Sequence, residues 1–354
     1  MRMSYLSVTI FVSLLNFCSS ERNLEFSLSE IARSDRQWTG IAVSQEERLF
    51  VNFPRWSPFS GPSVAEILSP DSLMPYPDNS WNRWQPGDPP ESYFVCIQSV
   101  FVDGKNRLWI LDTGLDVNHG LLPGGSKLLA IDLRNSNIIL KYTFDTEILR
   151  PDSYLNDVRI DLSHNHAYIT DSGNGAIIVL DLNTGNSRRL LDDHYSTMAE
   201  SIVITVEGKP WLAPDGSAPR IHSDGIALTP DEKYLYFQAL TGRNLYRIAT
   251  RWLISDSVTA AVLGDKVEHV IQTEPADGLA FDEDNNLYIS AITGNSIDRY
   301  PPGGTLERLI TDSRLKWPDS FAISGKGVLY VTTSQIHLAG LQTDPFYILS
   351  MSIR

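Results

Sequence analysis

The stretch "HSDGIALTPDEKYLYFQALTG", residues 222–242, indicates the fold of this chain. After its polar start come two short runs in which apolar and polar residues alternate, separated by the turn-forming letters "TPDEK". Alternation with a period of two around such a turn is typical of a β-hairpin. A second copy, "DGLAFDEDNNLYISAITG", begins at residue 277 and keeps the Asp-Gly pair of the first.

The same unit occurs six times along the chain. Its copies begin at Thr39, Gln98, Asn156, Asp224, Asp277 and Asp319, with spacings of 59, 58, 68, 53 and 42 residues. Further strand-like runs, such as "KLLAIDL" and "AIIVLDLNTG", follow several copies. Three or four strands per repeat of this length are typical of a β-propeller blade. We therefore predict an all-β, single-domain, six-bladed β-propeller, with a strand near "NLEFSLSEI" pairing with the final "FYILSMSIR" to close the ring.

Two segments are predicted to lie outside the blades. Residues 1–20 have the layout of a secretory signal peptide, because Arg2 precedes an apolar stretch that ends in small residues. This predicts a secreted protein, or one of the secretory pathway, whose propeller spans residues 21–354. The Pro-, Asn- and Trp-rich segment at 62–92 is too long for a hairpin turn and predicts a long loop over one face, a candidate lid.

The amino-acid composition and net charge limit the kinds of molecule that the protein is expected to bind. The chain is 42% hydrophobic and 20% charged, which is ordinary for a globular domain, and its net charge is −14. An acidic surface argues against nucleic acid and anionic membranes as partners. No segment after the first 20 residues is apolar enough to predict a membrane span. We expect a monomer that acts on a small molecule.

The first residues of the repeats are predicted to surround the central channel. The innermost strand of each blade lines that channel, so Thr39, Gln98, Asn156, Asp224, Asp277 and Asp319 should form one polar ring at its mouth. Three carboxylates that converge repel each other, so a cation neutralises them, a raised pKa keeps a proton on one of them, or water screens them. The alternative is that these side chains only form turns with nearby backbone amides.

Other side chains are predicted to join this ring. Asp112 and Asp171 end the runs "LWILD" and "AYITD" and would form a second polar layer. His222 would lie at the channel rim as a general acid or base, or as a structural residue. Tyr154 and Trp317 adjoin the ring and would form stacking walls for a flat ligand.

The stretches "LWILDTG", "YLNDVRIDLSHNHAYITDSGNGAIIVLDLNTGNSRRLL" and "SDGIALTPDEKYLYFQALTGRNLYRI" resemble the yellow and major royal jelly protein family. The resemblance runs from about Trp38 to the end of the chain and implies a secreted six-bladed propeller. The family includes enzymes that convert dopachrome and salivary proteins that bind biogenic amines in the channel. A more distant similarity to gluconolactonase-like propellers implies calcium held by Asn156, Asp224 and Asp277. That group also uses a first-blade glutamate, and the matching residue here is Thr39.

These observations favour a secreted propeller that binds a small aromatic or quinoid molecule and promotes its tautomerisation, isomerisation or cyclisation, with a natural-product pathway as one setting. Such steps need a proton donor, a proton acceptor and orientation in a dry pocket, and they require neither a covalent nucleophile nor a cofactor. The expected acid-base residues are Asp224, Asp277 and Asp319, and Asn156 and Gln98 are expected to orient the ligand. Further contacts to the substrate are expected from Thr39, Asp112 and Asp171. Two alternatives stay open, a non-catalytic binder of biogenic amines and a calcium-dependent lactone hydrolase.

Overall fold

The computed structural model describes residues 26–56, 61–341 and 344–354, so the predicted signal peptide at 1–20 lies outside the described residues. In chain order the strands are β1 (Ser29–Ser34), β2 (Ile41–Val43), β3 (Leu49–Asn52), β4 (Val64–Ser69), β5 (Ser72–Pro75), β6 (Ile97–Val102), β7 (Arg107–Asp112), β8 (Leu115–Asp116), β9 (Gly120–Leu121), β10 (Lys127–Asp132), β11 (Asn137–Thr143), β12 (Leu155–Asp161), β13 (His166–Asp171), β14 (Ala176–Asp181), β15 (Ser187–Leu190), β16 (Thr205–Val206), β17 (Lys209–Pro210), β18 (Ser223–Leu228), β19 (Tyr234–Ala239), β20 (Asn244–Ala249), β21 (Glu268–Gln272), β22 (Ala276–Phe281), β23 (Leu287–Ala291), β24 (Ser296–Tyr300), β25 (Glu307–Thr311), β26 (Pro318–Ile323), β27 (Val328–Thr333) and β28 (Phe346–Ser352). The helices are α1 (Asn79–Asn82), α2 (Thr250–Leu253) and α3 (Ala260–Gly264), with 3₁₀ turns at Pro90–Ser92 and Ile336–Leu338. No helix in these ranges is long and apolar enough to cross a membrane.

Six four-stranded antiparallel sheets form the blades of a propeller, which confirms the predicted fold. In order around the ring they are β2-β3-β4-β5, β6-β7-β10-β11, β12-β13-β14-β15, β18-β19-β20-β21, β22-β23-β24-β25 and β26-β27-β28-β1. The first strand of each blade contacts the first strand of the next, and β26 contacts β2. The central channel is therefore enclosed by the six inner strands β2, β6, β12, β18, β22 and β26.

The sixth blade closes the ring as expected from the sequence. Its outermost strand, β1, comes from the beginning of the described chain and pairs antiparallel with β28, which places Ala32 opposite Ile348 and Ser34 opposite Phe346. Strands β26 and β27 complete this blade.

Adjacent blades share their hydrophobic cores, which explains why the sequence pattern recurs. Between the second and third blades, Trp109 and Leu128 pack with Val158 and Ile178, and all four are fully buried. Each of the three aliphatic side chains among them contributes about 1.5–3 kcal/mol when it is removed from water. A single blade could not bury both of its faces, so the repeat unit is stable only beside its neighbours.

The inner strands carry bulges at the Asp-Gly pairs. The register of β18 shifts between Ser223 and Ile226, and that of β22 shifts at the corresponding place. A β-carbon on Gly225 would lie 2.3 Å from the carbonyl oxygen of Asp277, and one on Gly278 would lie 2.2 Å from that of Asp319. Only glycine permits this approach, so the Asp-Gly pairs bring neighbouring inner strands close together at one end of the channel.

The predicted long loop at 62–92 is wrong in part. Its first residues form the outer strands β4 and β5 of the first blade. The remaining segment, 76–92, is held against that blade because Asn82 Oδ1 accepts hydrogen bonds from the amides of Ser63 (2.8 Å) and Val64 (2.9 Å). It contributes no described residue to the channel pocket and is therefore not a lid over it.

Candidate functional site

A cavity of about 330 Å³ opens at the end of the channel where the inner strands begin. Five of the residues predicted from the sequence line it with polar groups: Gln98, Tyr154, Asn156, Asp224 and Asp277. Its other walls are mainly apolar and come from Trp56, Trp211, Ile221, Leu240, Trp317 and Ile336. A few converging polar groups in an apolar cavity of this size are typical of a small-molecule site.

Asp224 and Asp277 form a hydrogen-bonded carboxyl pair on the neighbouring strands β18 and β22. Burial raises the pKa of both groups well above the usual aspartate range, and the charge of Asp319 raises both further. Two carboxyl groups this close cannot both ionise without a large cost, so the pair holds a shared proton. One side chain can therefore donate a proton while its partner accepts one.

Asp319 lies behind this pair and does not line the cavity. It is buried, and its Oδ1 accepts a hydrogen bond of 3.0 Å from the Ser320 hydroxyl. Burial raises the pKa of Asp319 to about 7. Its charge acts on the pair through space, whereas the sequence predicted a catalytic residue in contact with the ligand.

Trp317 forms part of the pocket wall and also donates a hydrogen bond to the acid pair. Its indole Nε1 donates to Asp277 Oδ2 at 2.7 Å, and its ring meets that of Trp211 edge-on, with centroids 4.9 Å apart at 74°. The backbone of Trp317 has a φ of +56°, which is costly for a bulky residue and is sustained here by the packing around it.

A chain of hydrogen bonds forms the facing wall. The indole Nε1 of Trp56 donates to the Tyr154 hydroxyl at 2.7 Å, and that hydroxyl donates to Gln98 Oε1, also at 2.7 Å. Burial raises the pKa of Tyr154 well above its usual value, so the phenol keeps its proton. Because the Gln98 oxygen is engaged, its amide nitrogen remains to donate to a ligand.

Asp112 and Asp171 are not part of the pocket, which corrects the predicted second polar layer. Asp112 accepts hydrogen bonds from the amides of Val95 and Cys96 and pairs with the buried Nζ of Lys127 at 2.7 Å. Asp171 likewise accepts from the amide of Tyr154 and pairs with Arg189 at 2.6 Å. Both acids cap backbone at the ends of their strands and do not face a ligand.

Thr39 and His222 also lie outside the cavity lining. The Thr39 hydroxyl donates to the carbonyl oxygen of Gln98 (3.2 Å) and accepts from Asn52 Nδ2 (2.8 Å), so it joins the first two blades. His222 Nδ1 accepts from the Ala199 amide at 2.9 Å, and burial lowers its pKa. The predicted substrate-binding role of Thr39 and acid-base role of His222 are therefore not supported by their positions.

Trp211 was missed in the sequence. It directly follows a two-stranded hairpin, β16–β17, inserted between the third and fourth blades. The sequence does indicate an insertion here, because the spacing of 68 residues between Asn156 and Asp224 is the longest of the five spacings between repeats. Ile336 was also missed, since it begins a 3₁₀ turn that follows no repeated pattern.

The residues do not fit a calcium site of the gluconolactonase type. Calcium takes six to eight oxygen ligands. Here the first-blade position is Thr39, whose hydroxyl is engaged elsewhere, and Asp277 Oδ2 already accepts the Trp317 N–H. Within the three described ranges, no group of three or more His, Cys, Asp or Glu side chains is placed to hold a metal ion.

Comparison with known proteins assigns the family. Residues 95–346 match the family described as Major royal jelly protein. The chain belongs to this family. It is 27% identical over 248 residues to Major royal jelly protein 7 of Apis mellifera, covering 68% of this chain and 53% of that protein. It is also 24% identical over 235 residues to Dopaminechrome tautomerase of Drosophila melanogaster, covering 62% and 49%.

The chain thus spans about half the length of these two family relatives. Among solved structures, a gluconolactonase from Xanthomonas campestris superposes with a TM-score of 0.56 and 12% identity, covering 92% of this chain and 89% of that one. At this identity the likeness shows the fold alone. The six-bladed ring is therefore shared with gluconolactonases, while the sequence match is to the royal jelly family.

Proposed function

We propose that this family member binds a small flat aromatic or quinoid molecule in the channel pocket and catalyses its tautomerisation. The observation that carries the proposal is the proton-sharing pair Asp224–Asp277, which lines a cavity walled by Trp56, Trp211 and Trp317. The similarity to a relative named Dopaminechrome tautomerase supports the same chemistry.

The chemistry needs only the groups present in the pocket. In a tautomerisation a proton leaves a carbon atom of the ligand and another is added to its carbonyl oxygen, so atoms and charge balance without an oxidant. The ionised member of the Asp224–Asp277 pair accepts the first proton, and the protonated member donates the second. The aromatic walls hold the ring, and the Gln98 amide orients its oxygen.

The test is an assay of aminochrome turnover, in which the loss of the quinone absorbance measures the rate. Asp224→Asn together with Asp277→Asn removes both proton acceptors and should lower the rate at least a hundredfold. The matched control is Asp71→Asn with Asp215→Asn, which removes the same charge from two exposed positions. Full activity in the folded Asp224/Asp277 variant would contradict the assignment.

A second candidate function is non-catalytic binding of biogenic amines. It is favoured by the same acid pair, which can accept the N–H groups of an ammonium ligand beside aromatic faces. This candidate predicts saturable binding with no product, so one experiment that measures both binding and turnover separates it from the first.

The lactone hydrolase alternative depends on calcium. Because Thr39 occupies the position at which gluconolactonase-like propellers use a glutamate, we expect a calcium chelator to change neither the ligand affinity nor the thermal stability. Elemental analysis of the dialysed protein is the direct measurement. One calcium per chain, with lactonase activity lost on chelation and restored by calcium, would replace the tautomerase proposal.

A further inference from the structure

Four carboxyl groups lie close enough to the pocket to influence one another electrostatically. Asp224 and Asp277 line the pocket, and Asp319 and Asp157 do not. The charges of Asp319 and Asp157 both act on Asp224, and those of Asp319 and Asp224 act on Asp277. A ligand in the pocket therefore meets two carboxyl groups directly, while Asp157 is paired with Arg159 at 2.9 Å.

The cation closest to this group in sequence, Arg159, pairs with Asp157 and does not line the pocket. Arg159 donates to Asp157 Oδ1 at 2.9 Å and, across the channel, to the carbonyl oxygen of Leu279 at 2.9 Å. Asp157 is held further by the Ser99 hydroxyl at 2.6 Å. Arg159 lines a separate cavity of about 320 Å³ at the opposite end of the channel, and not the candidate site.

Three cationic side chains that are next to pocket-lining residues in the sequence form hydrogen bonds or ion pairs with groups outside the pocket. Arg55, next to Trp56, donates to the carbonyl oxygen of Asn82 at 3.2 Å. Arg220 donates to that of Ala199 at 2.9 Å, and Lys316, next to Trp317, pairs with Asp344 at 2.6 Å. Among the described residues, no Lys, Arg or His side chain lines the pocket.

We infer that the pocket selects its ligands by charge: it accepts flat aromatic molecules whose polar end is neutral or cationic and rejects the same ring system carrying a carboxylate. The inference rests on the proposed ligand class and adds a specificity to it. A carboxylate would lose its hydration inside an apolar cavity and would face the acid pair without a cation to balance it. A hydroxyl, carbonyl or ammonium group can instead exchange hydrogen bonds with Asp224, Asp277 and Gln98.

Calorimetric titration of the purified protein with three indoles tests this inference. Tryptophol, tryptamine and indole-3-acetate share one ring and differ in the charge of a short side chain. We expect tryptophol and tryptamine to bind, and indole-3-acetate to bind at least tenfold more weakly than tryptophol. Comparable affinities for tryptophol and indole-3-acetate in the unaltered protein would overturn the inference, and this comparison needs no variant.

Two variants locate the origin of the discrimination. Asp224→Asn with Asp277→Asn should reduce the difference between tryptophol and indole-3-acetate to less than threefold, whereas Asp71→Asn with Asp215→Asn should leave it unchanged. An undiminished difference in the folded Asp224/Asp277 variant would overturn the assignment to these acids. If none of the three indoles binds, the proposed aromatic pocket fails together with this inference, while equal binding overturns the charge selection alone.

Discussion

At the scale of single residues, aspartates with similar sequence settings have two different tasks. Asp224 and Asp277 are the second residues of inner strands, lie at bulges and line the pocket. Asp112 and Asp171 instead end the second strands of their blades and accept hydrogen bonds from backbone amides. The sequence places all four near the channel. It does not show where each carboxylate points, because that depends on the local bulge and on a partner such as Lys127 from a later strand.

The structural role of Asp112 is testable by its effect on stability. Asp112→Asn leaves the fully buried ammonium of Lys127 without its counter-ion, and we expect the free energy of unfolding in urea to fall by about 3–5 kcal/mol. Asp112→Asn with Lys127→Met should recover most of this loss, because the unpaired charge is gone. Ligand affinity of the folded single variant should be unchanged; a specific loss of affinity with full stability would restore the predicted binding role.

The pH dependence of stability should report on Asp319. Its pKa is raised from the usual 3.8 to about 7 by burial, so between these values the folded state holds a proton that the unfolded chain has released. The free energy of unfolding should therefore fall as the pH rises through this window. Asp319→Asn removes one titrating group and should flatten the slope by up to about 1.4 kcal/mol per pH unit. Asp71→Asn, at an exposed position, is the control. If the free energy of unfolding depends on pH with the same slope in the unaltered protein and in both variants, the raised pKa of Asp319 is contradicted.

At the scale of elements, the inner strands could be predicted from the sequence, and the inserted hairpin β16–β17 could not. Each inner strand repeats a pattern with a period of two, and the Asp-Gly bulges follow from the need for close strand approach. The hairpin β16–β17 occurs once, and its strands have two residues each, so periodicity gives no signal. The prediction of a loop at 62–92 was wrong for a related reason, because Pro62, Pro70 and Pro75 border β4 and β5 and weaken the strand pattern.

The contribution of the hairpin can be measured through Trp211. Trp211→Ala removes the ring that supports Trp317 edge-on, and such aromatic pairs contribute about 0.5–1.5 kcal/mol beyond the area they bury. We expect the affinity for an aromatic ligand to fall by about tenfold. The matched control is Trp252→Ala, at a tryptophan on α2 that does not line the pocket. An equal loss of affinity in the two variants would show that Trp211 does not act through the site.

At the scale of the whole molecule, the ring determines the site. The inner-strand residues that line the pocket come from the second to fifth blades, and Trp317 precedes β26 of the sixth. Six repeats and a closing strand could be predicted from the sequence because each repeat must bury its neighbour's face. The protonation of the acid pair could not, since it depends on burial that only the closed ring creates.

Closure of the ring should therefore control ligand binding from a distance. Ala32 on β1 is 1% exposed and packs beside Ile348 and Phe346. Ala32→Arg forces a charge into this core and should cost at least about 3 kcal/mol by detaching β1 from β28. We expect the urea midpoint and the ligand affinity to fall together, because Trp317 directly precedes β26, the inner strand of the blade that β1 completes. Arg33→Ala, at the exposed neighbouring position, should change the free energy of unfolding by less than about 0.5 kcal/mol and leave binding intact. Unchanged affinity in an Ala32→Arg variant of lowered stability would mean that the pocket forms independently of the closing strand.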